Sequence, residues 1–562
     1  MNDDRQRNLA LITFFALAIG LVAGLGAWAF RQLIGLFHNI LFLGEFSFGY
    51  VVTQHTPPSP WGAWIIAVPP AVAVLVAWMV KTFAPEAKGH GVPEVMDAIH
   101  YNQAKIRPQV VVVKALASSL SIGSGGSAGR EGPIIQIGAA MGSTVGQIIA
   151  MPVRQRITLV AAGAGAGIAA AFNAPLGGIM FACELMLLTI SARTLLPVSL
   201  ACVVAAWITR ITTGIDPALD IPDLMIPEQH AGSIRDLALF LILGVIIGCV
   251  SSLFIRALDK SEDLFAALPG GYIVQHVIGM TMLGVLIYAM LRLTGRYDIQ
   301  GVGYATILDI LNQALSDPWF LVALALLKLV ATCLTLGSGA SGGIFSPALF
   351  MGAAAGAAFG HVAHDLFPAL TMPIPAFAVA GMAAAVAGST GALLTAIVMS
   401  YEMTRDYNAI LPVIITCAVA WAVRKQLVGQ SIYTIKLLRR GHVVPEGLQA
   451  GTAQARRLSD VMSDHFVRDE GKEPGTAGMI RIVTASDGAI TGVRMADGAV
   501  APVVMVEPGA GLSATMRAMR RTGAAAALVF DDPAKAEYST VRGVVSATEI
   551  AETLHRDAEL MD

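Results

Sequence analysis

The chain has 562 residues, of which 55% are hydrophobic and only 14% are charged, with a mean hydropathy of +0.67. A soluble protein of this length does not carry so large an apolar fraction, so the composition places most of the chain in a lipid bilayer. The net charge of −2 lacks the basic excess of a nucleic-acid-binding protein, so no nucleic-acid partner is expected.

Uncharged stretches that approach the length of a membrane-spanning helix occur along the first three quarters of the chain. The candidates are Asn8–Phe30, Pro60–Val80, Ile157–Cys183 and Leu366–Tyr401, with Leu237–Ile255 and Pro318–Leu327 as shorter ones. Leu366–Tyr401 is predicted to be two helices, because about 20 residues already cross the hydrocarbon core. Runs such as Gln109–Val113 are too short to span, which predicts tilted or re-entrant helices buried within the protein.

An internal repeat links two segments that begin 214 residues apart, Lys114–Gly146 and Lys328–Gly360, with 14 of 33 aligned positions identical. Each copy passes from an apolar segment with one lysine into a glycine and serine cluster, then a proline, then a second apolar segment. This pattern predicts a helix, a break and another helix in each copy. Broken helices in repeated halves are typical of membrane transporters whose substrate binds near the bilayer midplane.

The repeat extends on both sides of its strongest block. Upstream, Gly89–Asp97 parallels Gly301–Asp309, and downstream, Ala174–Glu184 parallels Ala392–Glu402. The matches define two halves, at about 8–214 and 234–439, within a transmembrane domain of residues 1–440. All five cysteines lie in apolar segments without metal-like spacing, so neither a metal site nor a disulfide is expected.

The remaining residues, 441–562, are predicted to form a small soluble α/β domain. The basic cluster Lys436–Arg440 at the end of the membrane domain favours a cytoplasmic side for it. The predicted elements are a helix, two strands and a second helix, at Leu512–Arg521, Ala524–Val529, Val541–Val545 and Thr548–Leu554. This order resembles a cystathionine-β-synthase-type (CBS) regulatory module, and Leu458–Ser463 resembles the start of a degenerate partner module.

The glycine-rich break at Gly125–Pro133 is not a nucleotide phosphate loop, because no Gly-Lys-Ser/Thr follows it. It is better interpreted as an anion site. Pro133 suits the first turn of a helix, and the free amides and dipole at that helix terminus favour negative charge. The second break, Gly343–Pro347, supplies another such helix end. Neutral dipoles can hold an anion and still release it, as permeation requires.

On these motifs the chain resembles the CLC family of chloride channels and chloride/proton exchangers. The matching segments are Gly89-His90-Gly91-Val92-Pro93, Gly129-Arg130-Glu131-Gly132-Pro133, Gly343-Ile344-Phe345-Ser346-Pro347 and Tyr433. The resemblance implies an all-α membrane protein of two inverted halves with about nine helices each. It also implies a multi-pass homodimer in the cell (inner or plasma) membrane. Each subunit would have one path for chloride or a similar small anion, and protons would be the second transported ion. No enzyme activity is expected.

The resemblance also assigns roles to individual residues. Glu131 would be the gate and proton acceptor: its carboxylate competes with the anion when ionised and swings aside when protonated. The anion site would be formed by His90, Gly91, Val92, Arg130, Gly132, Ile344, Phe345 and Tyr433. Lys114 would raise the local potential for anions. From the residues alone, Glu131 could merely complement its helix terminus, Tyr433 could be an interfacial anchor, and Lys114 could pair with a carbonyl or carboxylate.

Two positions depart from the family pattern. His90 stands where chloride-selective members have serine, which makes altered anion selectivity and pH sensitivity plausible, unless the backbone alone holds the ion. Leu185 stands where proton-coupled bacterial relatives have an inner glutamate. Glu184 beside it is a candidate inner relay, although its repeat partner Glu402 favours a structural role for both. In the tail, Glu549 replaces the aspartate expected for ribose binding, so no cofactor is predicted beyond a weakly supported adenine nucleotide.

Four functions remain open at this stage: a proton-coupled exchanger, a passive voltage- or pH-gated chloride channel, a sodium-coupled symporter, and an intramembrane serine protease. The protease hypothesis rests on Gly339–Gly342 with Ser341 as nucleophile and His361 or His364 as base. Against it, Ser127 repeats the serine in the first half without an equivalent histidine. Nothing in the chain matches a sodium symporter family.

Overall fold

The computed structural model divides the chain into two compact units, Met1–Gly447 and Leu448–Asp562. The residues that it describes are 2–187, 190–215, 219, 221, 224, 234–368, 372–442, 444, 458–464, 466–469, 480–485, 488–494, 499–533, 536–547 and 549–550.

Apart from two isolated bridges, the secondary-structure elements in the described residues of the first unit are helices. Its first half contains α1 (Asn2–His38), α2 (Val68–Phe83), α3 (Val92–Tyr101), α4 (Gln109–Gly123), α5 (Glu131–Ile148), α6 (Val153–Phe172), α7 (Pro175–Phe181) and α8 (Ala192–Thr213). Its second half contains α9 (Ile234–Ala266), α10 (Gly271–Thr294), α11 (Tyr304–Leu311), α12 (Pro318–Gly337), α13 (Phe345–Leu366), α14 (Ile374–Thr390), α15 (Leu393–Thr404) and α16 (Ile410–Val428). The short helix α17 (Thr434–Arg439) follows. The described residues thus give eight α-helices in each half, one fewer than the resemblance implies.

Within the described ranges, nine helices are long and apolar enough to cross a membrane. The prediction that Leu366–Tyr401 contains two helices is confirmed, since α14 and α15 are separated at Gly391. The prediction of one span at Ile157–Cys183 is wrong, because Asn173 adopts a left-handed conformation between α6 and α7. Four spans were missed: α8, α10, the span Tyr407–Val428 that contains α16, and α13, which the repeat predicted only as a helix after the second break.

The two halves are inverted-topology repeats that use the same close helix crossing. In the first half, a Cβ atom added to Gly138 on α5 would lie 2.2 Å from the carbonyl oxygen of Gly163 on α6. In the second half, a Cβ atom added to Gly352 would lie 2.2 Å from the carbonyl oxygen of Gly381. Only glycine permits this approach, which brings each post-break helix against the next helix of its own half.

The described residues of the second unit form two small sheets. One has strand order β1-β2-β3-β4, from Phe466–Arg468, Ile480–Thr484, Ile490–Arg494 and Val500–Ala501. The other has order β5-β6-β7, from Val503–Val506, Ala526–Phe530 and Val541–Ser546, with helix α18 (Leu512–Thr522) between β5 and β6. The predicted helix and two strands are confirmed to within a few residues. The first sheet and β5 were not predicted, and most of the predicted helix Thr548–Leu554 lies outside the described residues.

Candidate functional site

The two glycine-rich breaks contact each other at the centre of the membrane unit. The amide of Gly129 donates to the carbonyl of Gly343 at 2.8 Å, and the amide of Gly343 donates to the carbonyl of Gly129 at 2.6 Å. This antiparallel bridge sits directly before α5 and α13. The N-terminal ends of both helices are therefore brought together, as the repeat predicted.

A third segment, the loop before α3, pairs with the second break. Gly89 donates to the carbonyl of Ala340 at 3.1 Å and accepts from the amide of Gly342 at 3.3 Å. Gly91 then caps α3 with φ of 86°, a conformation that favours glycine. Val92 begins that helix, and a Cβ atom added to Gly132 would lie 2.4 Å from the carbonyl oxygen of His90. The start of α3 thus lies against the start of α5.

Glu131 is fully buried and is held by hydroxyl groups from the other half. Its Oε1 accepts a hydrogen bond from the Tyr304 hydroxyl at 2.8 Å, and its Oε2 accepts one from Ser346 at 2.7 Å. The Nε atom of Arg130 lies 3.9 Å from Oε1. Neither hydroxyl was predicted as a partner, although Tyr304 lies within the segment that repeats the His90 loop and Ser346 lies within the second break. Simple helix-terminus complementation does not require these two side-chain donors.

Tyr433 lies inside the protein, immediately before α17. Its side chain has no exposed surface, and its hydroxyl has no hydrogen-bond partner among the described residues. Burial and, after it, the charge of Glu131 raise the pKa of the Tyr433 phenol well above its usual value. The hydroxyl therefore keeps its proton as a donor for an anion, and full burial does not fit an interfacial anchor. Ile344 and Phe345 are also buried, at the start of α13.

His90 faces a charged cluster as well as the helix ends. The side chain is 3% exposed, and neither ring nitrogen has a hydrogen-bond partner among the described residues. Its Nε2 lies 3.7 Å from Oε1 of Glu262 on α9. Burial, followed by the charges of Lys436 and Lys114, lowers the pKa of the imidazole well below its usual value. The ring is therefore neutral at pH 7 in this arrangement and can donate one hydrogen bond.

Lys114 and Lys328 make equivalent contacts in the two halves. The Lys114 ammonium donates to the carbonyls of Ala87 and Gly89 at 3.0 and 2.7 Å. The Lys328 ammonium donates to the carbonyls of Ile299 and Gly301 at 3.0 and 2.8 Å. Each lysine thus ties a pre-break helix to the loop at the start of the short helix that comes before it in the chain, α3 for Lys114 and α11 for Lys328. This is the carbonyl pairing that the sequence left open for Lys114.

Glu184 and Glu402 cap helices of opposite halves. The carboxylate of Glu184 accepts from the amides of Leu394 and Thr395, and also from the Thr395 hydroxyl, at 2.7 to 3.0 Å. The carboxylate of Glu402 accepts from the amides of Leu176 and Gly177 at the start of α7. This reciprocal pattern is the structural role that the repeat suggested. The neighbouring Leu185 is buried.

The protease hypothesis lacks its base in the described part of the chain. Ser341 donates to the carbonyl of Ala87 at 2.8 Å and lies 2.8 Å from the hydroxyl of Ser118. His364 contacts the carbonyl of Gly360 in its own helix. No described hydrogen bond joins Ser341 to His361 or His364, so the serine serves as a link between the breaks and their surroundings.

In the second unit, Glu549 is engaged locally. Its Oε2 accepts hydrogen bonds from the amide and the hydroxyl of Ser546, at 2.8 and 2.9 Å. The carboxylate therefore stabilises the turn after β7, and a nucleotide would have to displace these contacts.

A family model described as voltage gated chloride channel matches residues 72–425. The H(+)/Cl(-) exchange transporter ClcA of Salmonella schwarzengrund (strain CVM19633) is 33% identical over 450 residues, which cover 77% of this chain and 90% of that protein. A solved structure of a slow cyanobacterial Cl−/H+ antiporter has 29% identity and a TM-score of 0.65, covering 76% of this chain and 97% of that one. The structure of a eukaryotic CLC transporter has the same fold, with 18% identity and a TM-score of 0.63 over 96% and 98% of the two chains.

The chain therefore belongs to the voltage gated chloride channel (CLC) family, as its motifs predicted.

Proposed function

We propose that this protein moves chloride across a cell membrane in exchange for protons, through a central site gated by Glu131. The supporting observation is the buried Glu131 carboxylate, bound by Tyr304 and Ser346 where the ends of α5 and α13 meet. The N-terminal ends of helices favour negative charge, so the position that this carboxylate occupies also suits an anion. When it takes a proton, its charge disappears and a chloride ion can replace it.

The anion site of this proposal combines backbone and side-chain donors. Amides at the starts of α3, α5 and α13 come from Gly91, Val92, Gly132, Ile344 and Phe345. Arg130, the neutral imidazole of His90 and the unpartnered Tyr433 hydroxyl add side-chain donors. Apart from Arg130, these donors are uncharged dipoles, which can hold an anion and still allow it to leave. The names of the relatives, an H(+)/Cl(-) exchange transporter and a Cl−/H+ antiporter, support chloride and protons as the exchanged ions.

A passive chloride channel is the second candidate, and Leu185 is the observation that favours it. Exchange needs a proton route on the inner side as well as the gate, and leucine cannot carry a proton. Glu184 is bound within a helix cap, so its use as an inner relay would require those hydrogen bonds to break. The channel would keep the same anion site and gate.

The assembly and orientation form part of the proposal. By family resemblance the protein is a homodimer with one path per subunit, and residues 441–562 form a cytoplasmic, CBS-like regulatory domain. Arg439 and Arg440 at the end of α17 pair with Asp263 and Glu94, so part of the positive charge used to infer orientation is neutralised locally. The protein would act as a transporter, with no enzymatic reaction.

The test is a flux measurement on purified full-length protein in liposomes. A chloride gradient is imposed at clamped voltage, and chloride and proton movements are recorded together. Uphill proton movement driven by chloride is the expected result for exchange. Chloride flux without proton movement would support the passive channel over the exchanger. Impermeability to chloride would overturn both candidate functions.

A further inference from the structure

Glu262 is a partly exposed carboxylate beside a residue of the proposed anion site. It lies on α9, and its side chain is 27% exposed. Its Oε1 is 3.7 Å from Nε2 of His90 and 3.4 Å from Nζ of Lys436. The only other carboxylate within 4 Å of a site side-chain nitrogen, among the described residues, is Glu131 itself, beside Arg130. Glu262 thus connects solvent-exposed surface with the buried imidazole.

The imidazole of His90 has the properties of a proton relay. Both ring nitrogens are buried without hydrogen-bond partners in the described structure. A neutral imidazole can accept a proton at one nitrogen and release the proton on the other. The gap of 3.7 Å to Glu262 exceeds a hydrogen bond, but a small rotation of the carboxyl group or one water molecule closes it.

We propose that Glu262 and His90 form the inner proton route of this protein, in place of the glutamate that Leu185 replaces. This inference rests on the proposed exchange function. Glu262 takes a proton from water and gives it to Nε2 of the neutral ring. The proton on Nδ1 leaves towards the proposed anion site and the carboxylate of Glu131, so the ring returns to a neutral form as the other tautomer. Rotation of the ring or the reverse transfer restores the first tautomer.

The charges around His90 couple this route to the anion. Lys436 on α17 and Lys114 on α4 both act against a charged imidazolium. Lys88, two residues before His90, interacts electrostatically with Lys436 and Glu262, and the carboxylate of Glu262 is the negative group that faces the ring, at 3.7 Å. A proton on the ring is therefore favoured when an anion occupies the adjacent site, because opposite charges at short range stabilise each other. Proton entry and anion occupancy then rise together.

The alternative carboxylates are less suited to this role. Glu184 and Glu402 have their oxygens engaged at the ends of α15 and α7. Glu94 makes paired hydrogen bonds with Arg440. Besides its 3.7 Å approach to His90, Glu262 makes one long contact among the described residues, at 3.4 Å from Lys436, so proton transfer there breaks neither a helix cap nor a two-point ion pair.

The test compares Glu262→Gln with Asp263→Asn in full-length protein reconstituted in liposomes. Asp263 is the next residue on the same helix, is 59% exposed and pairs with Arg439, so its substitution removes a neighbouring carboxylate that does not contact His90. Loss of a positioned proton carrier is expected to lower the proton flux of Glu262→Gln by about 100-fold. Chloride flux is expected to persist in Glu262→Gln, and Asp263→Asn is expected to keep the wild-type ratio of protons to chloride.

Two further variants separate relay from structure. Glu262→Asp keeps a carboxyl group and is expected to retain measurable proton flux. His90→Asn keeps a hydrogen-bond donor but cannot relay a proton, and is expected to lose proton flux as Glu262→Gln does.

If Glu262→Gln lowers the chloride flux and the proton flux by the same factor, the residue only positions Lys436 and the proposal is wrong. If wild type exchanges and Glu262→Gln exchanges equally well, the proposed function stands and the relay is wrong. Chloride flux without protons in wild type overturns both the exchange and the relay.

Discussion

The first and second breaks have the same backbone arrangement but carry different side chains. Both end in a helix that starts at the centre of the membrane unit, and they pair through Gly129 and Gly343. The first break places Arg130 and Glu131 at its helix end, whereas the second places Ile344 and Phe345 there. A repeated scaffold therefore carries an ionisable side chain, the proposed gate, in one copy only, and the other copy would supply backbone amides without a competing charge.

Residues at corresponding positions of the two halves make the same contacts where their role is structural. They differ in chemical type where we propose a role in transport. Lys114 and Lys328 bind carbonyls two residues apart in the same way, and Glu184 and Glu402 cap helices of opposite halves. By contrast, His90 corresponds to Val302, and Glu131 to Phe345. Departure from the repeat thus coincides with the residues for which we propose a function, whereas chemical type alone does not separate Glu131 from Glu184.

Glu131→Gln is expected to cause the largest change, because an amide cannot accept the proton that opens the gate. Proton flux should fall by about 100-fold, while chloride flux persists without gating by pH. The measurement is paired chloride and proton flux in liposomes. Phe345→Leu, at the equivalent position of the second half, is the matched control and should keep the exchange ratio. Unchanged proton flux in Glu131→Gln would assign the carboxylate to helix stabilisation alone.

Substituting either buried lysine with methionine is expected to destabilise the protein by a similar amount. Each substitution removes two charge-assisted hydrogen bonds and leaves buried carbonyls unpaired, which costs about 2 kcal/mol or more. The loss of stability of Lys114→Met and Lys328→Met is measured by heating each variant in detergent and recording the fraction of protein that stays monodisperse. Lys114→Met should also lower chloride flux more than Lys328→Met does. Equal fluxes in the two variants would restrict Lys114 to its structural contacts.

Glu184→Gln and Glu402→Gln test the two reciprocal caps. Each amide keeps one acceptor oxygen but loses the charge that favours a helix N-terminus, so each variant should lose about 1 kcal/mol of stability. The ratio of protons to chloride should stay at the wild-type value in both. A ratio that changes only in Glu184→Gln would instead identify Glu184 as the inner relay.

His90→Ser is expected to give the smallest effect on anion transport. A serine hydroxyl exchanges one donor for another, which changes relative anion permeability by roughly the value of one hydrogen bond, about fivefold or less. Anion competition for chloride flux measures the change, and Val302→Ser in the second half is the control. Identical selectivity in His90→Ser and wild type would assign the contact to the backbone amides.

Sequence patterns predicted the membrane class, the repeat, the breaks and the motifs that surround the site, because each depends on local composition and spacing. They did not predict the partners of Glu131, since Tyr304 and Ser346 are 173 and 215 residues away. The repeat shows which residues of the two halves correspond in sequence, but it does not show which helix faces of one half contact the other half. The same limit hid Glu262, whose charged segment ends an otherwise apolar helix. Arg193 and Arg210 shorten the uncharged window of α8, whereas α10 has no charged residue before Arg292, so its sequence could have predicted that span.

The Gly129–Gly343 bridge also has a consequence for biosynthesis. The ribosome makes the first half before residue 343 exists, so the amide and carbonyl of Gly129 have no partner while that half enters the membrane. An unsatisfied backbone group in hydrocarbon costs several kcal/mol, so the first break cannot settle into its final conformation alone. The ion path is therefore completed only when both halves have docked. A partly synthesised chain consequently offers no finished anion route through the membrane.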